Sequence, residues 1–212
     1  MKLLSVNVSL PEEVPHGSET VETGIFKEPV EGRIMLRTLN LDGDGQADLV
    51  NHGGVHRAVY AYPIEHYDYW RREFGQDNGF GFGQFGENFT VEGMPEDEVC
   101  IGDVFRVGGA LIEISQPRPP CFKLGIKMGM PRFPKLFLAS GRVGFYLRVL
   151  EEGEVGGGDA FEHVARDPER VTVREMSRLL FFEKENLEGA RRALGVRALS
   201  PGWRDSFEER LI

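Results

Sequence analysis

Glycine and proline divide residues 1 to about 160 into short runs, and this punctuation restricts the fold more than any other feature of the chain. Seven of these runs have the composition of strands: Leu3–Val8, Arg33–Leu39, Ala58–Tyr62, Asn88–Val91, Asp103–Val107, Ala110–Ser115 and Val143–Leu150. Gly108 and Gly109 separate two of them, which is a hairpin signal. Many short strands with turn signals between them are typical of a barrel or a sandwich. We therefore expect a mainly β fold in this part of the chain.

Two helical insertions interrupt the predicted strands. The segment Pro63–Phe74 carries apolar residues at close to helical spacing, namely Ile64, Tyr67, Trp70 and Phe74. Phe133–Ser140 is a second, short apolar helix, and Gly141 is placed to end it.

The pattern changes after about residue 165, where three amphipathic helices are predicted. Their start signals are a capping box at Thr172, an N-cap at Asn186 and the N-cap with N1 proline at Ser200–Pro201. Each helix is too short to be stable alone in water, so the three must pack on each other or on the strands. We expect a barrel domain at residues 1–162 and a three-helix domain at residues 163–212.

Composition excludes several classes of protein. The net charge is −9, so the chain is a poor candidate for binding nucleic acid or an anionic membrane. Two cysteines exclude a disulfide scaffold, and they lack the CxxC spacing of a metal site. No signal peptide or membrane-spanning run is visible, and the expected location is cytoplasmic, with reduced thiols.

Two sequence patterns suggest ligands that their context does not support. Gly81–Gly86 fits the dinucleotide pattern GxGxxG, but a predicted strand follows it where that mechanism needs a helix. Asp42–Asp48 opens like a calcium loop, but Ala47 and Gly53 occupy the positions of the required glycine and glutamate. We interpret this second segment as an acidic, glycine-rich turn.

The stretch Ser115–Leu124 contains Cys121 just after three prolines, Pro117, Pro119 and Pro120. These prolines make the turn that leads to Cys121 rigid. Arg118 and Lys123 lie close to it in sequence, and nearby positive charge favours thiolate over thiol. A thiolate attacks electrophiles or binds a soft metal, and both roles are open at this point. Cys100 lies in an apolar run and is expected to be buried as packing.

Four segments join glycine or proline to polar residues beside a predicted strand end, as in a site built on a barrel rim. They are Thr23–Val30, Asp42–Asp48 with the following His52–Gly54, Phe85–Phe89 and Ser115–Leu124. In this order they resemble the MOSC family (molybdenum cofactor sulfurase C-terminal domain), in particular its YiiM-like members. The resemblance covers nearly the whole chain. It implies a MOSC-type β-barrel with short helical insertions, followed by a small three-helix domain.

The resemblance also implies a site for the molybdenum cofactor, molybdopterin, with Cys121 as the ligand to molybdenum. The other residues that match the family's pocket are Lys27, His52, Gly53, Gly54, Gly86, Glu87, Asn88, Gln116 and Arg118. Where the family usually continues Pro-Asp-Lys, this chain has Val55-His56-Arg57, so Arg57 keeps the charge without lysine's compact donor. At the level of the family, the domain also carries a label for pyridoxal phosphate binding.

Within this resemblance, Lys27, Arg57 and Arg118 are candidates to hold the cofactor's phosphate, and Glu87 or His52 could deliver protons. Three of the assignments have simpler alternatives. Glu87 could cap a loop, Asn88 could satisfy backbone groups, and Lys27 could be a solvated surface residue.

The implied activity is reduction of N-hydroxylated compounds, such as 6-N-hydroxylaminopurine, with electrons from an external flavin-type reductase. The chain has no flavin or iron–sulfur motif of its own. Two alternatives remain: a sulfur carrier with a Cys121 persulfide, and a non-catalytic module that binds the cofactor. We also expect a homodimer, because a three-helix tail offers apolar surface.

Overall fold

The computed structural model describes residues 1–75 and 79–212. In these residues the strands are β1 Lys2–Val8, β2 Glu12–His16, β3 Glu19–Thr23, β4 Glu28–Pro29, β5 Arg33–Leu36, β6 Val59–Pro63, β7 Phe89–Glu92, β8 Val104–Val107, β9 Ala110–Pro117, β10 Phe145–Glu151, β11 Gly153–Gly156 and β12 Phe161–Ala165. The helices are α1 Leu49–His52, α2 Glu65–Phe74, α3 Phe122–Lys127, α4 Phe133–Ala139, α5 Val173–Phe181, α6 Leu187–Gly195 and α7 Pro201–Glu208. Short 3₁₀ turns occupy Val55–Arg57 and Glu209–Leu211.

Eight strands form one curled sheet, in the order β12-β8-β9-β10-β6-β7-β1-β4. Its neighbours pair antiparallel except for β6 and β7, which are parallel. The curl brings the start of β1 back to the segment before β12, where Leu3 N–H donates to the Asp159 carbonyl at 2.8 Å. The expectation of a mainly β, barrel-type fold with helical insertions and a helical tail is confirmed.

All seven predicted strands are present, with ends that shift by a few residues. The largest difference is at Arg33–Leu39, where the strand ends at Leu36, and Leu36 bridges back to Leu41 across a turn. The hairpin of β2 and β3 was not predicted. Its strands are mostly exposed on both faces, so they lack the apolar alternation that identifies a half-buried strand.

The helical tail shares one hydrophobic core with the barrel. Buried tail residues such as Met176, Leu179 and Phe207 belong to the same cluster as Ile101 and Ile112 of the barrel part. The buried apolar residues of the tail are thus covered by other parts of the same chain. They offer no exposed surface for a homodimer, and the homodimer stays a prediction. In the described part of the chain, no helix has the length and apolar character needed to cross a bilayer.

A second core lies beside the site described below. It is aromatic and joins α2 and α4 to the strand β6 through residues that include Tyr62, Tyr67, Trp70, Phe85, Phe133 and Phe137. Phe85 is fully buried in this core and directly precedes Gly86. The core therefore fixes the backbone of the loop that carries Gly86 and Asn88.

Candidate functional site

A cavity of about 80 Å³ opens between the loops at one rim of the sheet. We call it the thiol cavity because Cys121 lies in its wall. Seven of the predicted site residues line it: Lys27, His52, Arg57, Gly86, Asn88, Arg118 and Cys121. They come from four separate stretches of the chain, at residues 27, 52–57, 86–88 and 118–121, and the curled sheet brings them together.

Cys121 follows β9 through the rigid Arg118–Pro120 stretch and occupies the N-cap position of α3. It is a free, partly exposed cysteine. Burial alone would raise the pKa of its thiol, but a hydrogen bond with His52 and the charge of Arg118 outweigh burial and lower that pKa to about 7. Lys123 contributes through its backbone amide. The Lys123 ammonium instead donates to the Glu22 carbonyl at 3.0 Å. Lys123 therefore favours the Cys121 thiolate through its backbone N–H and not, as predicted, through its side-chain charge.

His52 is placed by the capping of the short helix α1. The Asp48 side chain accepts from Asn51 N–H at 2.9 Å and so starts the helix. One turn later, His52 Nδ1 lies 3.6 Å from Asp48 Oδ2. The imidazole stands beside Cys121, with which it forms a hydrogen bond, at a partly exposed position in the cavity wall.

Arg118 is the most deeply enclosed cation of the thiol cavity, with 5% of its surface exposed. Its guanidinium lies over the Tyr60 ring at 4.6 Å from the ring centre. Within the described residues its Nη1 has no hydrogen-bond partner. A buried charged donor without an acceptor destabilises the fold. An anionic group of a ligand would satisfy Arg118 Nη1 by accepting a hydrogen bond from it.

Lys27 is buried rather than solvated, and its Nζ lies 2.5 Å from Asp44 Oδ1. The Asp44 carboxylate also accepts from Ser9 N–H at 2.8 Å and from Asn88 Nδ2 at 2.9 Å. Burial lowers the pKa of Lys27 although Asp44 opposes that shift. Asp44 was not among the predicted site residues. The signal was present in the acidic, glycine-rich turn Asp42–Asp48, which we had placed among the loops of the site without assigning a role to Asp44.

Asn88 satisfies backbone groups and also lies in the wall of the thiol cavity. Its Oδ1 accepts from Tyr60 N–H at 3.1 Å and its Nδ2 reaches the Asn7 carbonyl at 3.2 Å, which satisfies backbone groups. The residue also lines the thiol cavity. Gly86 lies next to it in the wall with φ of 80°, and a Cβ there would be 2.6 Å from Ile25 Cγ1. Only glycine fits this position without a shift of the wall.

Glu87 does not line the thiol cavity and is fully buried. Its carboxylate accepts from Gly83 N–H at 3.0 Å, from Phe85 N–H at 2.9 Å and from the Tyr67 hydroxyl. Burial raises its pKa. These contacts place the side chain behind the wall, where it fixes the loop that carries Gly86 and Asn88.

Gly53, Gly54 and Gln116 line a second cavity, of about 400 Å³, together with the start of α7. We call it the barrel–tail cavity. Arg57 lines both cavities, so they are neighbours. The structure therefore divides the residues that the resemblance had grouped as one cofactor pocket.

The charge of the thiol cavity suits an anionic cofactor. Four cationic side chains line it against two carboxylates; the cations are Lys27, Arg57, Arg118 and Lys123, and the carboxylates are Asp44 and Asp48. This local excess of positive charge stands out in a chain whose net charge is −9. Among residues 1–75 and 79–212, no three His, Cys, Asp or Glu side chains cluster as metal ligands. The donor set is one thiolate beside anion-binding cations, which fits a phosphate-bearing cofactor that brings its own soft metal.

The fold and the two parts of the chain match known families. A model of the MOSC domain matches residues 48–162, and a model of the YiiM-like 3-alpha helix domain matches residues 171–211. The chain belongs to the MOSC family. Within that family it is a YiiM-like member, since it is 38% identical over 191 residues to Protein YiiM of Escherichia coli, covering 90% of this chain and 85% of that one.

Two further relatives add to this classification. The crystal structure of YiiM from Geobacillus stearothermophilus superposes with a TM-score of 0.84 at 33% identity, covering 100% of this chain and 99% of the other. A protein of Gibberella moniliformis named Reductase is 33% identical over 162 residues, which are 76% of this chain and 29% of that protein.

Proposed function

We propose that this chain is a molybdenum-cofactor-dependent reductase of N-hydroxylated compounds, such as 6-N-hydroxylaminopurine, with the Cys121 thiolate as the protein's ligand to the metal. One observation carries the proposal. The thiol whose pKa is lowered to about 7 shares a cavity with a buried guanidinium nitrogen that has no partner in the described residues. A soft thiolate beside an anion site is what a molybdenum cofactor with a phosphate requires.

Each part of the wall has a task in this proposal. Arg118 and Arg57 would hold the phosphate, and Lys27 would add charge that Asp44 partly offsets. When bound, the cofactor supplies the two-electron cleavage of the N–O bond. The overall change is R–NH–OH plus two electrons and two protons to R–NH₂ plus water. Of the two predicted proton donors, His52 is favoured, because it lines the thiol cavity while Glu87 is enclosed behind it.

The electrons must come from outside the chain in this proposal. Two cysteines are too few for an iron–sulfur cluster. We therefore infer an external flavin-type reductase as the donor, in the cytoplasm. The relative named Reductase supports a reductive activity, and the matched region forms 29% of that longer protein.

The test is to express the protein in a host that makes the cofactor and to measure molybdenum by mass spectrometry. We expect close to one molybdenum per chain, lost in Cys121→Ala. The matched control is Cys100→Ala, which removes the other thiol, a buried one outside the thiol cavity. With a flavin reductase added, the loaded wild type should reduce 6-N-hydroxylaminopurine. Full retention of molybdenum in Cys121→Ala would overturn the ligand assignment.

The two alternatives predict different results in the same preparation. A persulfide mass shift on Cys121 without molybdenum indicates the sulfur carrier. Bound cofactor that turns over no N-hydroxylated compound indicates the non-catalytic module.

A further inference from the structure

The barrel–tail cavity is a second cavity, open to solvent, next to the thiol cavity, and the two parts of the chain build it jointly. The barrel part contributes Gly53–Arg57 and Gln116, and the tail contributes Ser200–Trp203. Its volume of about 400 Å³ lies within the range of small-molecule sites, about 300–1,000 Å³.

Gln116 gives this cavity a polar group that lacks a partner. The residue is 1% exposed, and its Nε2 finds no acceptor in the part of the chain that the structure describes. An amide donor left unpaired in a buried position is unfavourable, so an acceptor on a bound molecule would stabilise it. The lone pair of an unprotonated ring nitrogen and the lone pairs of a carbonyl oxygen are acceptors of this kind.

His56 and Trp203 complete the chemistry of the cavity. The Nδ1 of His56 is also buried without a partner among the described residues. Burial, aided by Arg148 and Arg57, lowers the pKa of His56, so its ring is neutral near pH 7 and one nitrogen can accept while the other donates. Trp203 adds an aromatic surface, on which a flat ring can pack. A donor, a neutral imidazole and an aromatic wall together fit a planar nitrogen heterocycle.

The barrel–tail cavity lies directly beside the cavity that contains the reactive thiol. Arg57 lines both cavities, and Gln116 lies two residues before Arg118 on the same segment. A ring bound in the barrel–tail cavity is therefore adjacent to the cavity that contains Cys121.

On the basis of the reductase function proposed above, we propose that the barrel–tail cavity holds the planar ring of the N-hydroxylated substrate. Gln116 Nε2 donates to an acceptor on the ring edge, and Trp203 of the helical tail packs against the ring face. The tail is then a substrate-binding part of the enzyme, and the cofactor keeps the thiol cavity.

The test uses adenine as the probe, because it has the ring but lacks the N–O bond and needs no cofactor to bind. Adenine is titrated calorimetrically into cofactor-free wild type and variants. We expect binding to wild type that weakens about tenfold or more in Gln116→Leu and in Trp203→Ala. Trp203→Phe, which keeps an aromatic ring, should bind close to wild type. Cys121→Ala and Leu187→Ala, a change on the exposed part of α6, should leave adenine binding unaltered.

A second measurement separates the ring site from the cofactor site. In loaded enzyme, Gln116→Leu should raise KM for 6-N-hydroxylaminopurine about tenfold or more and leave molybdenum per chain at the wild-type level. Thermal unfolding of each variant identifies any that has not folded. The inference is overturned if wild type fails to bind millimolar adenine, if Gln116→Leu and Trp203→Ala bind it as wild type does, or if Gln116→Leu loses molybdenum. A different outcome separates the two proposals. If adenine binds with the expected variant pattern, but the protein takes up no molybdenum and does not turn over the N-hydroxylated compound, the ring site is supported and the reductase function is rejected.

Discussion

The Lys27 ammonium and the Asp44 carboxylate form a buried ion pair in the wall of the thiol cavity, with 2.5 Å between Nζ and Oδ1. The pair joins the loop after β3 to the acidic turn before α1. Asp44 also holds Asn88, so a single carboxylate connects three segments of the wall. Its charge offsets that of Lys27, which leaves Arg118 and Arg57 as the stronger anion-binding groups of the cavity.

Replacing Asp44 by asparagine should destabilise the fold. Removal of one partner leaves the Lys27 charge buried and unpaired, and such a loss costs about 3–5 kcal/mol. The free energy of unfolding in urea measures it. Asp42→Asn is the matched control in the same turn, because its pair with Arg37 is about half exposed and should contribute less than about 1 kcal/mol. Equal effects of the two substitutions would contradict the assigned role of the buried pair.

The reactivity of Cys121 should depend on pH in a way that reports its surroundings. Because the pKa of the thiol is lowered to about 7, alkylation of the cofactor-free protein by iodoacetamide should be half-maximal near pH 7. His52→Ala removes the hydrogen bond with the sulfur and should move this midpoint upward. Cys100→Ala is the control, because burial raises the pKa of the Cys100 thiol and keeps it unreactive at neutral pH. A midpoint near the ordinary value of about 8.5 in wild type would show that His52 and Arg118 do not stabilise the thiolate.

Glycine, proline and local periodicity predicted most of the scaffold because turn signals and the spacing of apolar residues are local features of the sequence. The site depends on long-range contacts that these patterns do not contain. Asp44 acquires its role only by meeting Lys27, 17 residues away, and Asn88, 44 residues away. A local interpretation could describe that segment only as a turn.

The resemblance predicted which loops meet, but not which side of a wall each residue faces. Gln116 and Arg118 are two residues apart, yet they line different cavities. Glu87 lies between two lining residues, Gly86 and Asn88, but its own side chain turns inward to backbone amides. The direction of a side chain in an irregular loop is set by tertiary packing, which a motif does not encode.

Glu87→Gln should lower stability and leave the chemistry intact. The glutamine amide would face at least one of the N–H donors of Gly83 and Phe85, and a buried group left unsatisfied costs about 1–3 kcal/mol. Urea unfolding measures the loss, with Glu92→Gln on the exposed end of β7 as the control. In loaded enzyme, kcat per bound molybdenum and its pH profile should match wild type. A stable variant with an altered pH profile would instead identify Glu87 as a proton donor.

Barrel and tail should unfold together because they share one core. The Ile101 N–H donates to the Val171 carbonyl at 3.0 Å where the tail begins, and Phe207 near the end of α7 is fully buried in the common cluster. Phe207→Ala should lower the free energy of unfolding by about 3–5 kcal/mol. In this variant, tryptophan fluorescence and far-ultraviolet circular dichroism should still report one transition with the same urea midpoint. Phe182→Ala is the matched control, since that ring is 55% exposed and its removal should change stability by about 0.5 kcal/mol or less. Separate transitions for the two probes would mean that the tail folds independently of the barrel.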